Sequence, residues 1–411
     1  MQSAARNAIR GAARDTIELD DGRRIEGFVD AGFGAVMDAF VANFVERHDL
    51  GAGCAVYMDA LPVVDVWGGI ADRRTGRVWN HDTAAVIFSC SKGLLAICAY
   101  LLVQGGRLDL DAPVALYWPE FGAAGKAGLT VRQVMSHRAG LPALDADLER
   151  GEVLAWAPVI RAIEAQRPLY APEGGHFYHT LTYGWLVGEL IRRVTGRSPG
   201  RFLREAIGDP LELRTWIGLP DAVRPSVAWM EPPLPDEDSA AARQAARLGR
   251  ENAVIARSAS MGGAFGFPVE NGIVSFNAPD IQAAEIPGAN GVSTAESLAR
   301  AYAACVADSH GRPLLSAASL GDLLRVQSAG RPLSGMPDDG ARWGTGFQLA
   351  SPPGQPMLGA TSFGHAGAGG QLGFADVEHR VGFAYLGNQM GGYGDVRARE
   401  LTMALRAAIG A

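Results

Sequence analysis

The sequence predicts an α+β protein: an antiparallel sheet flanked by helices, with a mostly helical domain inserted into it. Three observations lead to that class. Two apolar runs near the front, residues 54–58 and 62–67, are separated by a short stretch of small and polar residues, the pattern of a hairpin. Strand patterns return in the last hundred residues. Helical periods fill most of the chain between. The two ends then share one sheet. On that reading residues 1–115 and 288–411 make a discontinuous sandwich and residues 116–287 a helical insertion, with a groove between them.

The elements follow in order. Residues 31–48 carry Phe33, Val36, Met37, Phe40, Val41 and Phe44 on one stripe, which predicts an amphipathic helix. After the hairpin, residues 73–77 read as a turn. Residues 93–103 are apolar on every face, so their helix is expected in a core, stopping at Gly105-Gly106. Residues 129–137 read as a short helix with Thr130 as its N-cap. Residues 153–165 and 181–195 are helical by period, and a tight loop over 172–180 leads into the second. Residues 231–237 are a proline-rich acidic loop, and residues 239–250 an Ala/Arg-rich surface helix. Glycines crowd 262–275, which predicts an irregular segment. A helix over 295–306 has Ser293 or Thr294 as its cap. Near the end, residues 343–349 and 362–367 read as strands, 373–377 and 381–388 as a hairpin, and 395–408 as a closing helix.

The 411 residues are 48% apolar and 20% charged, as in an ordinary soluble globular protein. A net charge of −7 argues against nucleic acid or an anionic membrane surface as partner. The cysteines at 54, 90, 98 and 305 form no C-x-x-C pair, so neither a zinc site nor a disulfide framework is indicated. Residues 1–7 lack the apolar core of a signal peptide, and no run reaches membrane-span length. A cytoplasmic location is the expectation. Nothing in the sequence speaks to oligomeric state.

Ser89-Cys90-Ser91-Lys92 opens the apolar helix. Serine and lysine three apart share one face of a first turn. An alcohol becomes a nucleophile when a neighbour takes its proton, and a desolvated lysine can do so because burial lowers its pKa. The chain has only two lysines, Lys92 and Lys126; all its other basic residues are arginine, which keeps its proton. A lysine retained in a buried helix of so arginine-biased a chain suggests proton transfer. Two other patterns are set aside. Ser136 and His137 are neighbours on a helix and point in different directions, so His137 is assigned a structural role. Gly196-Arg197-Ser198-Pro199-Gly200 matches G-x-S-x-G, but a helix precedes it where a nucleophile elbow needs a strand. Gly196 reads as a helix stop, Ser198 as an N-cap and Pro199 as a first helical residue.

Three pieces stand in order: Ser89-Cys90-Ser91-Lys92, then Tyr178 in Phe177-Tyr178-His179-Thr180, then His365-Ala366-Gly367. This set resembles the serine β-lactamase and penicillin-binding-protein superfamily, in particular its class C-like branch, the family VIII carboxylesterases. The resemblance runs from about residue 30 to the end, and residues 129–142 look like the family's L-T-x-x-x-L-L-S-H-x-x-G-L-P segment. It implies the α/β sandwich of the serine β-lactamase type. It also implies a covalent acyl-enzyme on Ser89, with Lys92 and Tyr178 sharing proton transfer and the backbone N–H groups of Ser89 and Ala368 forming the oxyanion hole. His365, Gly367, Ala368, Trp343 and Thr180 would bind substrate. No metal or cofactor is implied, and the partner would be a small ester. Two departures bear on the substrate. His365 stands where β-lactamases carry the lysine of Lys-Thr-Gly, which weakens the case for an obligatory substrate carboxylate. Thr180 stands where Tyr-x-Asn would place an asparagine. Both shifts are typical of the esterase branch. Trp118, Trp185 and Phe265 are further candidates for pocket walls, some of which belong to the core. Two rival functions stay open: an amide hydrolase of the same fold, and a binding or scaffolding protein that lost the chemistry.

Overall fold

The computed structural model describes residues 15–234, 240–266, 268–307, 312–337, 340–351, 357–392 and 394–411. Strands from both ends of the chain meet in one eleven-stranded antiparallel sheet. From edge to edge it runs Asp15–Glu18, Arg24–Val29, Leu61–Asp72, Gly51–Met58, Val381–Gly387, Gln371–Asp376, Ser362–Gly367, Gln348–Leu349, Arg342–Trp343 and Ser328–Ala329, with Arg77–Val78 paired beside Leu61–Asp72. The join between the two ends is the pairing of Ala384 with Ala55 and of Tyr385 with Cys54.

Alternation along these strands decides what covers each face. Val381, Phe383 and Tyr385 point to one side with Cys54, Val56, Leu372 and Phe374. The helices Gly34–Glu46 and Arg397–Ile409 close over that side, through Val36, Phe40, Phe44, Leu401 and Leu405. The intervening residues, Gly373, Gly382, Ala384 and Ala55, are small. Helix Ala295–Val306 therefore seats directly on the opposite face. A Cβ at Gly382 would lie 2.3 Å from the Ala299 carbonyl oxygen, so only glycine admits the helix there. The apolar helix Cys90–Gln104 shares this second core, with Leu94, Leu95, Ile97 and Tyr100 buried.

The chain between the two sheet-forming ends is mostly helical. A separate three-stranded ribbon ties it in, with Gly291–Ser293 between Ala85–Phe88 and Thr215–Trp216. Thr130 caps Val131–Met135 in a capping box with Gln133, and Thr294 caps Ala295–Val306. Gly196, Ser198 and Pro199 hold their expected places as left-handed stop, N-cap and first helical residue. Ser198 donates to Glu285 at 2.6 Å and accepts from the Arg201 N–H, so its hydroxyl is fully used as a cap.

Several expectations need correction. Asp15–Glu18 and Arg24–Val29 are strands that the sequence reading left unassigned; they pair with each other, and Arg24–Val29 joins them to Leu61–Asp72. Residues 343–349 are not one strand: Gly344–Phe347 turn the chain between Arg342–Trp343 and Gln348–Leu349, with Gly346 at φ 89°. The helical stretch over 153–165 is broken at Trp156, whose φ of 64° separates Arg150–Leu154 from Ala157–Ala165. The glycine-rich segment holds a small hairpin, because Asn271-Gly272 supplies two positive φ angles between Val269–Glu270 and Ile273–Val274. The helix expected over 239–250 is Ala240–Glu251; part of the acidic loop before it lies outside the described residues.

Candidate active site

Strand Ala85–Phe88 delivers the chain to Ser89, which is the N-cap of Cys90–Gln104. The turn is strained: Phe88 has φ 44°, a region that bulky side chains avoid. Phe88 is held there by Phe276, whose ring meets it edge-on at 5.4 Å, and by pairing with Gly291. Ser91 donates to the Phe88 carbonyl at 2.5 Å and accepts from the Gly291 N–H at 2.9 Å, locking the first helical turn to the ribbon.

Lys92 is fully buried. Its Nζ lies 2.8 Å from the Thr180 carbonyl oxygen, 2.6 Å from the Gly288 carbonyl oxygen and 3.1 Å from Ser89 Oγ. Burial pushes its pKa down to about 7, so a neutral amine is accessible near neutrality. A neutral amine has two N–H donors and one lone pair. The two carbonyls take the donors, which leaves the lone pair facing the Ser89 hydroxyl. That arrangement can accept the serine's proton.

Tyr178 is brought to the same place by the loop before helix Thr182–Thr195. Burial raises its phenol pKa, and a side-chain hydrogen bond with Ser89 opposes that rise. Lys92 Nζ sits 5.0 Å from the centre of its ring. Trp343 stacks on Tyr178, with ring centres 5.2 Å apart and planes 29° apart. Beneath lies His137, centred 4.8 Å from Tyr178 and meeting Trp343 edge-on at 4.6 Å. Its Nδ1 accepts the His179 backbone N–H at 3.2 Å. His137 lies just past its short helix at φ 62° rather than on it, and its ring is the floor under Tyr178. Ser136 turns away and donates to the Arg132 carbonyl. His179 donates through Nδ1 to the Phe177 carbonyl at 2.6 Å and accepts the Leu141 N–H on Nε2 at 3.1 Å. Burial lowers its pKa to about 4, outweighing the Phe177 carbonyl, which favours the protonated ring.

The strand Ser362–Gly367 forms the opposite wall. Cys90 Sγ donates to the His365 carbonyl at 3.0 Å. A Cβ on Gly367 would stand 2.5 Å from the Ile87 carbonyl oxygen, so glycine lets the strand end run against the turn before Ser89. Ala368 follows in the next turn. His365 is buried beside the stacked Tyr178 and Trp343, with ring centres 6.0 and 5.7 Å away. Thr180 contributes its carbonyl to Lys92, while its hydroxyl is 3.1 Å from Ser258 Oγ. Ser89, Lys92, Tyr178, His365, Gly367, Trp343 and Thr180 thus converge. Trp118 and Trp185 do not join them: both are wholly buried, Trp118 bonded to Glu164 and Trp185 packed on Trp156. Phe265 packs edge-on against Phe276, behind the nucleophile turn. The Gly288 carbonyl, the Phe88 strain and the His137 floor were absent from the sequence reading. The first two are backbone features, without a side-chain signature.

A family model described as Beta-lactamase matches residues 37–408, and the chain belongs to that family. It is 37% identical over 378 residues to esterase/beta-lactamase LipL of Mycobacterium tuberculosis, covering 90% of this chain and 84% of that one. Among solved structures, a penicillin-binding protein homologue from Caulobacter crescentus superposes with a TM-score of 0.81 at 33% identity, over 93% of this chain and 99% of the other. A family VIII carboxylesterase superposes equally well, with a TM-score of 0.81 at 31% identity and the same coverage. All four cysteines are buried free thiols. Among the described residues no helix is long and apolar enough to cross a membrane.

Proposed function

We propose that this chain is a serine carboxylesterase that cleaves short-chain esters through an acyl-enzyme on Ser89. The observation that carries the reading is the Lys92 amine, with two carbonyls fixing its protons and its remaining position on Ser89 Oγ. Ser89 Oγ attacks the acyl carbonyl while its proton passes to neutral Lys92. That proton then passes from Lys92 through Tyr178, whose ring lies beside the amine, to the leaving alcohol; the pair titrates as a unit. The backbone N–H groups of Ser89 and Ala368 hold the oxyanion, each worth about 2.7–4 kcal/mol of barrier. Water activated by the same pair then releases the acid. Gly367, Ala368, Trp343, Thr180 and His365 line the substrate. We place the enzyme in the cytoplasm.

The ester is favoured over a β-lactam because His365 replaces a cation. A neutral imidazole offers a substrate carboxylate no opposite charge. Hydrolysis of p-nitrophenyl butyrate and a chromogenic cephalosporin, measured side by side, tests this. The ester should turn over much faster; a faster cephalosporin would overturn the assignment.

A further inference from the structure

His365 stands where a cation would otherwise complete the site, and its ring chemistry is the reverse of a cation's. Nδ1 lies 2.6 Å from the Ala366 carbonyl oxygen. A carbonyl oxygen only accepts, so Nδ1 carries the proton and Nε2 the lone pair. Burial, with the nearby Lys92 charge, pushes the ring's pKa down to about 3, so a second proton stays off. The residue is 2% exposed, and among the described residues Nε2 has no hydrogen-bond partner. His179 is the internal comparison. It donates through Nδ1 in the same way, yet its Nε2 is saturated by the Leu141 N–H. One buried histidine has both nitrogens paired and the other has Nε2 unpaired, and the ring of the second lies 6.0 Å from Tyr178 and 5.7 Å from Trp343, ring centre to ring centre.

We propose that Nε2 of His365 accepts a hydrogen bond from the substrate, and that the preferred esters carry a hydroxyl or amide N–H near the scissile carbonyl. This rests on the esterase reading and names its substrate class. A buried acceptor left unpaired destabilises the complex, so an ester that fills the same space with a methylene is disfavoured. A carboxylate fares worse, because it only accepts and would meet a lone pair.

The test is the ratio of kcat/KM within two matched pairs. One pair is p-nitrophenyl 3-hydroxybutyrate against p-nitrophenyl butyrate, with the donor on the acyl side. The other is glycerol 1-butyrate against propyl butyrate, with the donor on the alcohol side. Wild type should favour the donor-bearing ester of at least one pair by about tenfold or more. His365→Phe and His365→Leu, which lack the lone pair, should bring that ratio close to one. A rate loss common to both esters cancels in the ratio. Wild-type ratios near one in both pairs overturn the proposal, as does a preference that survives in either variant. If wild type hydrolyses no ester of either pair and Ser89 takes up no acyl group, the esterase reading itself has failed. That outcome is distinct from turnover without preference.

Discussion

Two buried corners of the molecule hold the chain's two lysines, and they are built almost alike. Lys92 and Lys126 are both fully buried, and each donates to two backbone carbonyls. Lys126 bonds the Glu164 carbonyl at 2.9 Å and the Gln166 carbonyl at 2.6 Å, with the Phe121 ring centred 5.5 Å away. Burial lowers the pKa of both. They part at the third partner. Lys92 meets the Ser89 hydroxyl, whereas the Glu164 carboxylate near Lys126 supports its positive charge. Lysine scarcity therefore marks burial rather than catalysis. What makes one amine a base is a hydroxyl on its lone-pair side and no carboxylate to hold its proton.

The comparison can be broken most forcefully at Lys92. Lys92→Met removes the proton acceptor and should lower kcat on p-nitrophenyl butyrate by about 10³-fold. The next largest effect is on pH. A base with pKa about 7 works only when neutral. Wild-type kcat/KM should therefore rise with pH to a plateau above about 7 and fall about tenfold per unit below it, a limb missing from Lys92→Met. The smallest effect is at the other corner. Lys126→Met should leave kcat/KM within about twofold, since no reacting group is touched. It should lower unfolding stability in urea by about 1–3 kcal/mol, because two buried carbonyls lose their donor. Equal loss of activity at both lysines would dissolve the distinction.

How much of this was legible beforehand follows the same division between side chains and backbone. Ser89, Lys92 and Tyr178 were legible because spacing and order advertise side-chain chemistry. The hairpin over 51–72 and the helix behind Ser89 were legible because long apolar patterns commit the backbone. The carbonyls of Thr180 and Gly288 that fix the Lys92 amine were not, since every residue type carries the same carbonyl. Nor was the open nitrogen of His365, because its tautomer is set by the Ala366 carbonyl across a local turn of the ring. The turn at Gly344–Phe347 mattered too: it presents Trp343 to Tyr178, and a two-residue strand on either side leaves too short a pattern to read.

The central claim is that one hydroxyl, Ser89, carries the acyl group. It is tested most directly by quenching the protein during turnover of p-nitrophenyl butyrate and locating the adduct by peptide mass spectrometry. A butyryl group on the peptide bearing Ser89, lost in Ser89→Ala together with ester turnover, is the predicted result. An adduct on Ser198 or Ser136 instead, or turnover that persists in Ser89→Ala, would contradict it.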